Sequence, residues 1–356
     1  MEYRERKQLT AEEALLLWQQ SVLSVSGNYE KSPEVLKVND TVIGTLGNFS
    51  ASIGKAKSKK TFNLSAMVAA ALSGGKVLGY SAELPADKQK ILYVDTEQSP
   101  YHCLKVMKRI LRLADLPPET DCDRIQFLAL RRYTPDERIA IIETAIYRTE
   151  GLGLVLIDGI RDLVYDINSP GEATYIISKL MQWTDERQIH LHTILHQNKG
   201  DENARGHIGT ELNNKAETVI LVEKDKVDKD ISKVEALHIR AMDFTPFGFR
   251  INEQSLPELV EEYEPKESRA GRPKKEPFDP YKEIPEAAHR RALTNAFADG
   301  VVSKYENLIP ALQTAYEAEG FRLNYNKAVV LAKFLKNKRM IERVGSDYTF
   351  LTDYHY

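Results

Sequence analysis

Residues 54–61 read Gly54-Lys55-Ala56-Lys57-Ser58-Lys59-Lys60-Thr61, and no other stretch constrains the chain as much. The run matches G-x-x-x-x-G-K-[ST] at every fixed position but one. In that pattern backbone N–H groups cradle phosphates, the Lys reaches the β- and γ-phosphates and the hydroxyl holds Mg²⁺. Gly54, Lys60 and Thr61 stand in register, while Lys59 takes the place of the second glycine. That place often needs a positive φ or a close backbone approach, and a side chain there costs about 1–2 kcal/mol. It also adds a cation where a triphosphate would lie. A plain basic loop ahead of a helix accounts for the same four lysines, so the flanks decide between the readings. Residues 42–53 read as extended and apolar-rich, and residues 62–72 read as a helix stopped by Gly74-Gly75. Strand, loop and helix in that order are what a phosphate loop requires, so residues 54–61 with Phe62 are the expected nucleotide contacts.

Three more elements follow in an order that fits. Residues 91–97 form a short buried-type strand ending in two carboxylates, Asp95 and Glu97. Residues 154–158 give four apolar positions and then Asp158, the pattern whose carboxylate orients Mg²⁺ at the C-terminal end of a parallel strand. An acidic residue at an ordinary strand end is common, but both of these lie downstream of a phosphate loop. Residues 190–199 read as a strand closing on polar groups. Its three histidines have no Cys or carboxylate at ligand spacing beside them, which argues against a metal centre. His196 and Gln197 are instead placed to sense a γ-phosphate. A glycine-punctuated turn with Arg205 comes next, then strands at 218–223 and 233–242, the second ending near Arg240.

Taken together, residues 34–255 resemble a RecA-like ATPase of the RepA-type hexameric helicase group found in mobile elements and plasmids. The matching pieces are GKAKSKKT, the DTE after the second strand, LVLIDG, LHQNKG and RGHIGTEL. The resemblance implies an α/β fold with a RecA-like P-loop NTPase core around a central, mainly parallel sheet. It implies ATP and Mg²⁺ as ligands, with Thr61 and Asp158 on the metal. Glu97 would be the base that activates the attacking water, and His196 or Gln197 the sensor. No arginine finger is evident within one subunit. RecA-like rings take that cation from a neighbour, so Arg205 or Arg240 is the candidate and a homo-oligomeric ring is expected. The alternative for each arginine is a surface salt bridge.

Composition agrees. The chain has 356 residues, enough for two domains, and 42% of them are hydrophobic. A net charge of −3 excludes a chain that binds nucleic acid over its whole surface, and two cysteines exclude a disulfide framework. An amphipathic helix over 11–23 with Thr10 as its cap occupies the N-terminal segment (1–33). No apolar run approaches membrane length, so a cytoplasmic chain with no membrane partner is expected.

The core is expected to end at 256. Residues 257–280 are polar and proline-rich, a linker by composition. Within it Gly271-Arg272-Pro273, flanked by cations, resembles an AT-hook, a short arm for A·T minor grooves; a basic solvated linker is the competing reading. The last segment (281–356) reads as helices over 286–298, 302–319 and 325–338, then two short strands around Gly345-Ser346-Asp347. Three helices and a hairpin suggest a small winged-helix-like α+β domain. Lys327, Lys333, Lys336, Lys338 and Arg339 supply the cations of a recognition helix, although winged helices also serve in protein contacts. DNA is therefore the expected partner of the linker and C-terminal domain. Two functions fit: a DNA-associated ATPase for replication or transfer of a mobile element, or an ATP-controlled DNA-binding regulator with little turnover.

Overall fold

A computed structural model describes residues 9–197, 206–240, 242–260, 263, 278–303, 305–323 and 325–353. Among these the chain divides into two compact units, Met1–Ser268 and Arg269–Tyr356.

The first unit opens with α1 (Ala11–Ser21). Thr10 and Glu13 form a reciprocal capping box at its start, which satisfies two of the free N–H groups. The expected amphipathic helix forms but buries no side chain, and Leu15, Leu16, Leu17 and Trp18 are exposed. There follow β1 (Glu34–Val38), β2 (Thr41–Thr45), β3 (Phe49–Gly54), α2 (Lys60–Ser73), β4 (Lys76–Val77), β5 (Tyr80–Ala82), β6 (Lys90–Asp95) and α3 (Pro100–Leu113). Next come β7 (Ile125–Ala129), α4 (Pro135–Arg148), β8 (Leu152–Asp158), a short 3-10 turn (Ile160–Leu163), α5 (Pro170–Arg187), β9 (His190–His196) and α6 (Gly206–Lys215). The unit closes with β10 (Thr218–Lys224), β11 (Ser232–Ile239), β12 (Phe247–Ile251) and β13 (Pro257–Val260).

The main sheet runs β13-β12-β11-β10-β3-β9-β8-β6-β7. From β10 to β7 every pairing is parallel, while β11, β12 and β13 extend the β10 edge in antiparallel fashion. Parallel strands must be covered on both faces, and all seven residues of β8 are buried accordingly. One face packs on α2 and α3 through Leu64, Met67, Val106 and Ile110. The other packs on α4, α5 and α6 through Ile142, Ile146, Ile177, Leu180, Trp183 and Leu212. A second sheet, β2-β1-β5-β4, joins the α2 side.

Two boundaries of the core differ from expectation. The extended stretch 42–53 is two strands, because Gly47 adopts φ 80° and turns the chain between β2 and β3. The linker starts later than 257: Pro257–Val260 pairs with β12, and the proline sits on the sheet edge, where its missing N–H costs nothing. The AT-hook-like segment, including Arg272, lies outside the described residues.

The second unit contains α7 (Pro280–Glu283), α8 (Glu286–Ala296), β14 (Val301–Ser303), α9 (Tyr305–Ala318), α10 (Tyr325–Asn337), β15 (Ile341–Val344) and β16 (Asp347–Phe350). The helix expected from 302 begins at Tyr305, because residues 301–303 instead pair with β16 in a sheet ordered β14-β16-β15. Gly345 turns the β15–β16 hairpin with φ 65°. Leu293, Leu312, Leu331 and Leu335 form the unit's own core.

Candidate nucleotide site

Gly54 ends β3 beside His196 of β9, and its carbonyl accepts from Gln197 N at 3.1 Å. Only glycine fits there, since a Cβ would stand 2.0 Å from the Val222 carbonyl. The loop then turns through left-handed Lys57 (φ 65°) and Lys59 (φ 67°) into α2. Lys59 therefore keeps the backbone conformation of the glycine it replaces. Its ammonium reaches the Asp230 carbonyl at 2.6 Å. Ser58 Oγ is buried and has no hydrogen-bond partner among the described residues.

Lys60 is buried, and its three N–H groups go to the carbonyls of Gly54 (2.8 Å) and Lys55 (2.9 Å) and to His196 Nδ1 (3.2 Å). An ammonium only donates, so Nδ1 is the acceptor and the His196 proton sits on Nε2. That nitrogen faces Glu97 Oε1 at 3.4 Å. The pairing with His196 holds the Glu97 carboxyl below its usual range, against the opposing effect of burial. Burial pulls the Lys60 ammonium down to about 8, with Asp158 and Glu97 opposing.

Asp158 ends β8, in register with Asp95 of β6. Its Oδ2 accepts from Thr61 Oγ1 (2.8 Å) and Tyr93 OH (3.1 Å). Burial, then the neighbouring Asp95, push its carboxyl up to about 7. A hydroxyl and a carboxylate oxygen side by side at the foot of the phosphate loop are the hard donors that Mg²⁺ takes, so Thr61 and Asp158 fit the ion.

Asp95 has a different task from Glu97. Its Oδ1 accepts from Glu97 N and Gln98 N, and its Oδ2 from Gln98 Nε2, which fixes the turn carrying Glu97. Thr96 Oγ1 lies within hydrogen-bond distance of the Asp158 and Gly159 carbonyls and Asp162 Oδ2. Arg138, from α4, donates to the carbonyls of Leu130, Arg131, Asp162 and Thr96, drawing together the loops after β6, β7 and β8. Sequence reasoning missed Asp95, Thr96 and Arg138 as site builders.

One cavity of about 430 Å³ has Lys57, Lys59, Lys60, Thr61, Glu97, Asp158 and His196 on its walls. Phe62 and Arg109 line both this cavity and a second one of about 500 Å³ that also has Tyr101, Lys105 and Leu256 on its walls. The Arg109 guanidinium lies 3.6 Å from the Phe62 ring centroid, a cation–π stack that nothing in the sequence announces.

Lys55 and Ala56 are exposed on the loop, and Gln197 is buried beside Gly54. Arg205 lies outside the described residues. Arg240 is exposed at the opposite end of the sheet: its N–H bonds the Glu217 carbonyl beside Thr218, and Thr218 pairs with Ser50 at the start of β3. It therefore takes no part in the site of its own chain. His190 and His192 are buried in a chain of hydrogen bonds with Ser50 and Ser52.

The AAA domain family matches residues 22–202, just over half of the chain. The chain belongs to this family. No curated protein matches it. The AAA domain is a P-loop ATPase domain, and the match takes in the phosphate loop, Glu97, Asp158 and His196. The strands from β10 onward and the whole second unit lie beyond the matched segment. Among the described residues no helix is long and apolar enough to cross a membrane.

Proposed function

We propose that this AAA-domain chain hydrolyses ATP as a DNA-associated motor or accessory protein, RecA-like and of the RepA type, serving replication or transfer of a mobile element. The observation that carries the hydrolytic part is the convergence of Lys60, Thr61, Asp158, Glu97 and His196 on one cavity. Phosphoryl transfer needs positioning and charge neutralisation more than covalent chemistry. Lys60 supplies a cation to the phosphates, and Thr61 and Asp158 would hold Mg²⁺, which when bound would supply further positive charge there. Glu97 is the one carboxylate of the site that stands about half exposed, as a group that must meet a water molecule needs to be. His196 touches both Lys60 and Glu97, which suits a sensor of the terminal phosphate. Glu97 also follows the second strand of the parallel core, as the RecA-like reading expects.

The DNA part rests on the second unit. After the short α7, its helix–strand–helix–helix–strand–strand order supports a winged helix, and α10 carries Lys327, Lys333 and Lys336. A ring, with Arg205 or Arg240 supplied by the neighbour, completes the proposal. Steady-state ATP hydrolysis with and without single-stranded DNA tests it. Turnover should rise about tenfold or more with DNA at low salt and lose that gain as salt increases. Turnover that stays negligible in both conditions, with ATP still bound, would favour the ATP-controlled regulator instead.

A further inference from the structure

The β10–β11 turn, residues 225–231, is built tightly and sits against the phosphate loop. Asp225 Oδ1 accepts from Val227 N (2.8 Å) and Asp228 N (3.0 Å), and Asp228 Oδ1 accepts from Asp230 N (2.9 Å). Backbone bonds from Asp225 N to Ile231 O and from Ile231 N to Asp228 O close the turn. Tyr263 OH donates to Asp225 Oδ2 at 2.5 Å, and its ring covers Gly248 of β12. The turn therefore has a fixed shape set by its own side chains and by β12.

The phosphate loop meets this hairpin at both ends. At its start, the Gly54 α-carbon packs so closely on the Val222 carbonyl that no side chain fits. At its end, the Lys59 ammonium donates to the Asp230 carbonyl; burial lowers its pKa, with the Asp230 and Asp228 carboxylates opposing. Lys59 accepts a left-handed backbone to do so, a conformation glycine adopts at no steric cost. A lysine held at a position suited to glycine, and reaching a carbonyl 171 residues away, is spending that strain on a contact.

We propose that Lys59 is a positioning residue: it ties the end of the phosphate loop to the Asp230 carbonyl, so that the β10–β11 hairpin holds the loop in its phosphate-cradling shape. This deepens the ATP-binding reading and rests on it. A loop ordered in advance loses less freedom when nucleotide binds, so the tether acts on affinity more than on the chemical step. It also explains the departure at position 59 without making Lys59 a phosphate ligand.

The test uses the full-length chain and the variants Lys59→Met, Lys59→Gly and Lys59→Arg, each checked for an unchanged unfolding midpoint. Amide hydrogen exchange over residues 58–63 of the phosphate loop, where Ser58 N bonds the Lys55 carbonyl and Phe62 N and Asn63 N bond the Lys59 carbonyl, is measured with no nucleotide present, so a role in binding phosphate cannot move it. Exchange should rise about fivefold or more in the Met and Gly variants and stay within about twofold in Arg, which still reaches a carbonyl. In parallel, KM for Mg-ATP should rise about fivefold in Met and Gly with kcat within about twofold, and Arg should restore it. Unchanged exchange in Met and Gly overturns the tether, and if affinity falls at the same time Lys59 is a phosphate ligand. A Gly variant that binds ATP as well as the parent overturns it too. If the parent chain binds no ATP, it is the nucleotide reading that fails, and exchange alone still decides whether the tether exists.

Discussion

Arg138 shows how much of the site is made by groups that never reach the cavity. Its guanidinium gathers four carbonyls, one of them that of Thr96 beside Glu97, and it comes from a helix on the far face of the sheet. Hydrogen bonds from a charged donor contribute about 1.5–3 kcal/mol, and all four carbonyls would lose that donor at once. Arg138→Met should therefore lower kcat about tenfold through a misplaced Glu97 while leaving nucleotide affinity nearly intact. Nucleotide titration and steady-state turnover on the same preparation check this. Nothing in the sequence marks Arg138, because one basic residue in an amphipathic helix reads as solvated surface. Gly54, Lys60, Thr61 and Asp158 were legible because phosphate chemistry imposes their spacing. Lys59 was legible as an anomaly, but its partner was not: only the folded hairpin brings Asp230 to it.

Among the elements, the pairing of β3 with β9 has a consequence for pH. His190 Nδ1 faces the Thr45 carbonyl at 3.0 Å and must be the donor, so its Nε2 accepts from Ser50. Ser50 Oγ in turn accepts from His192 Nδ1, and His192 Nε2 accepts from Ser52. Both imidazoles are then neutral, and burial, with His190 adding to it, lowers His192 to about 3. A histidine depressed in the folded state takes up its proton more readily when unfolded. Its contribution is fully present above about pH 6.5 and is lost as pH falls toward 3, at about 1.4 kcal/mol per pH unit. Thermal unfolding followed from pH 7 to 4 should show this slope, and His192→Asn should make it shallower. An identical slope in the variant would place the protons elsewhere. The histidines of β9 are thus a fold device, two of them filling the core and His196 alone reaching the cavity. In the sequence all three shared one apolar run, and only the strand register separates them. The strand boundaries were less legible still. β13 reads as linker because a proline and an acidic residue suit a loop as well as they suit a sheet edge.

Over the whole molecule, the AAA domain carries a site that lacks a catalytic arginine of its own among the described residues lining the cavity beside Glu97, where Arg109 is stacked on Phe62. The proposed ring accounts for this. Mixing Arg240→Ala or Arg205→Ala chains with Lys60→Ala chains should restore part of the parent ATPase rate, since each supplies the half the other lacks. Light scattering that shows a monomer with and without ATP, alongside full activity, would contradict the ring. The central claim is that Glu97 activates water at a nucleotide held by Lys60, Thr61 and Asp158. Mg-ATP binding and hydrolysis by Glu97→Gln, measured side by side with the parent, test it most directly. The variant should bind ATP as the parent does and hydrolyse it about 10²–10⁴-fold more slowly; hydrolysis at the parent rate would contradict the account.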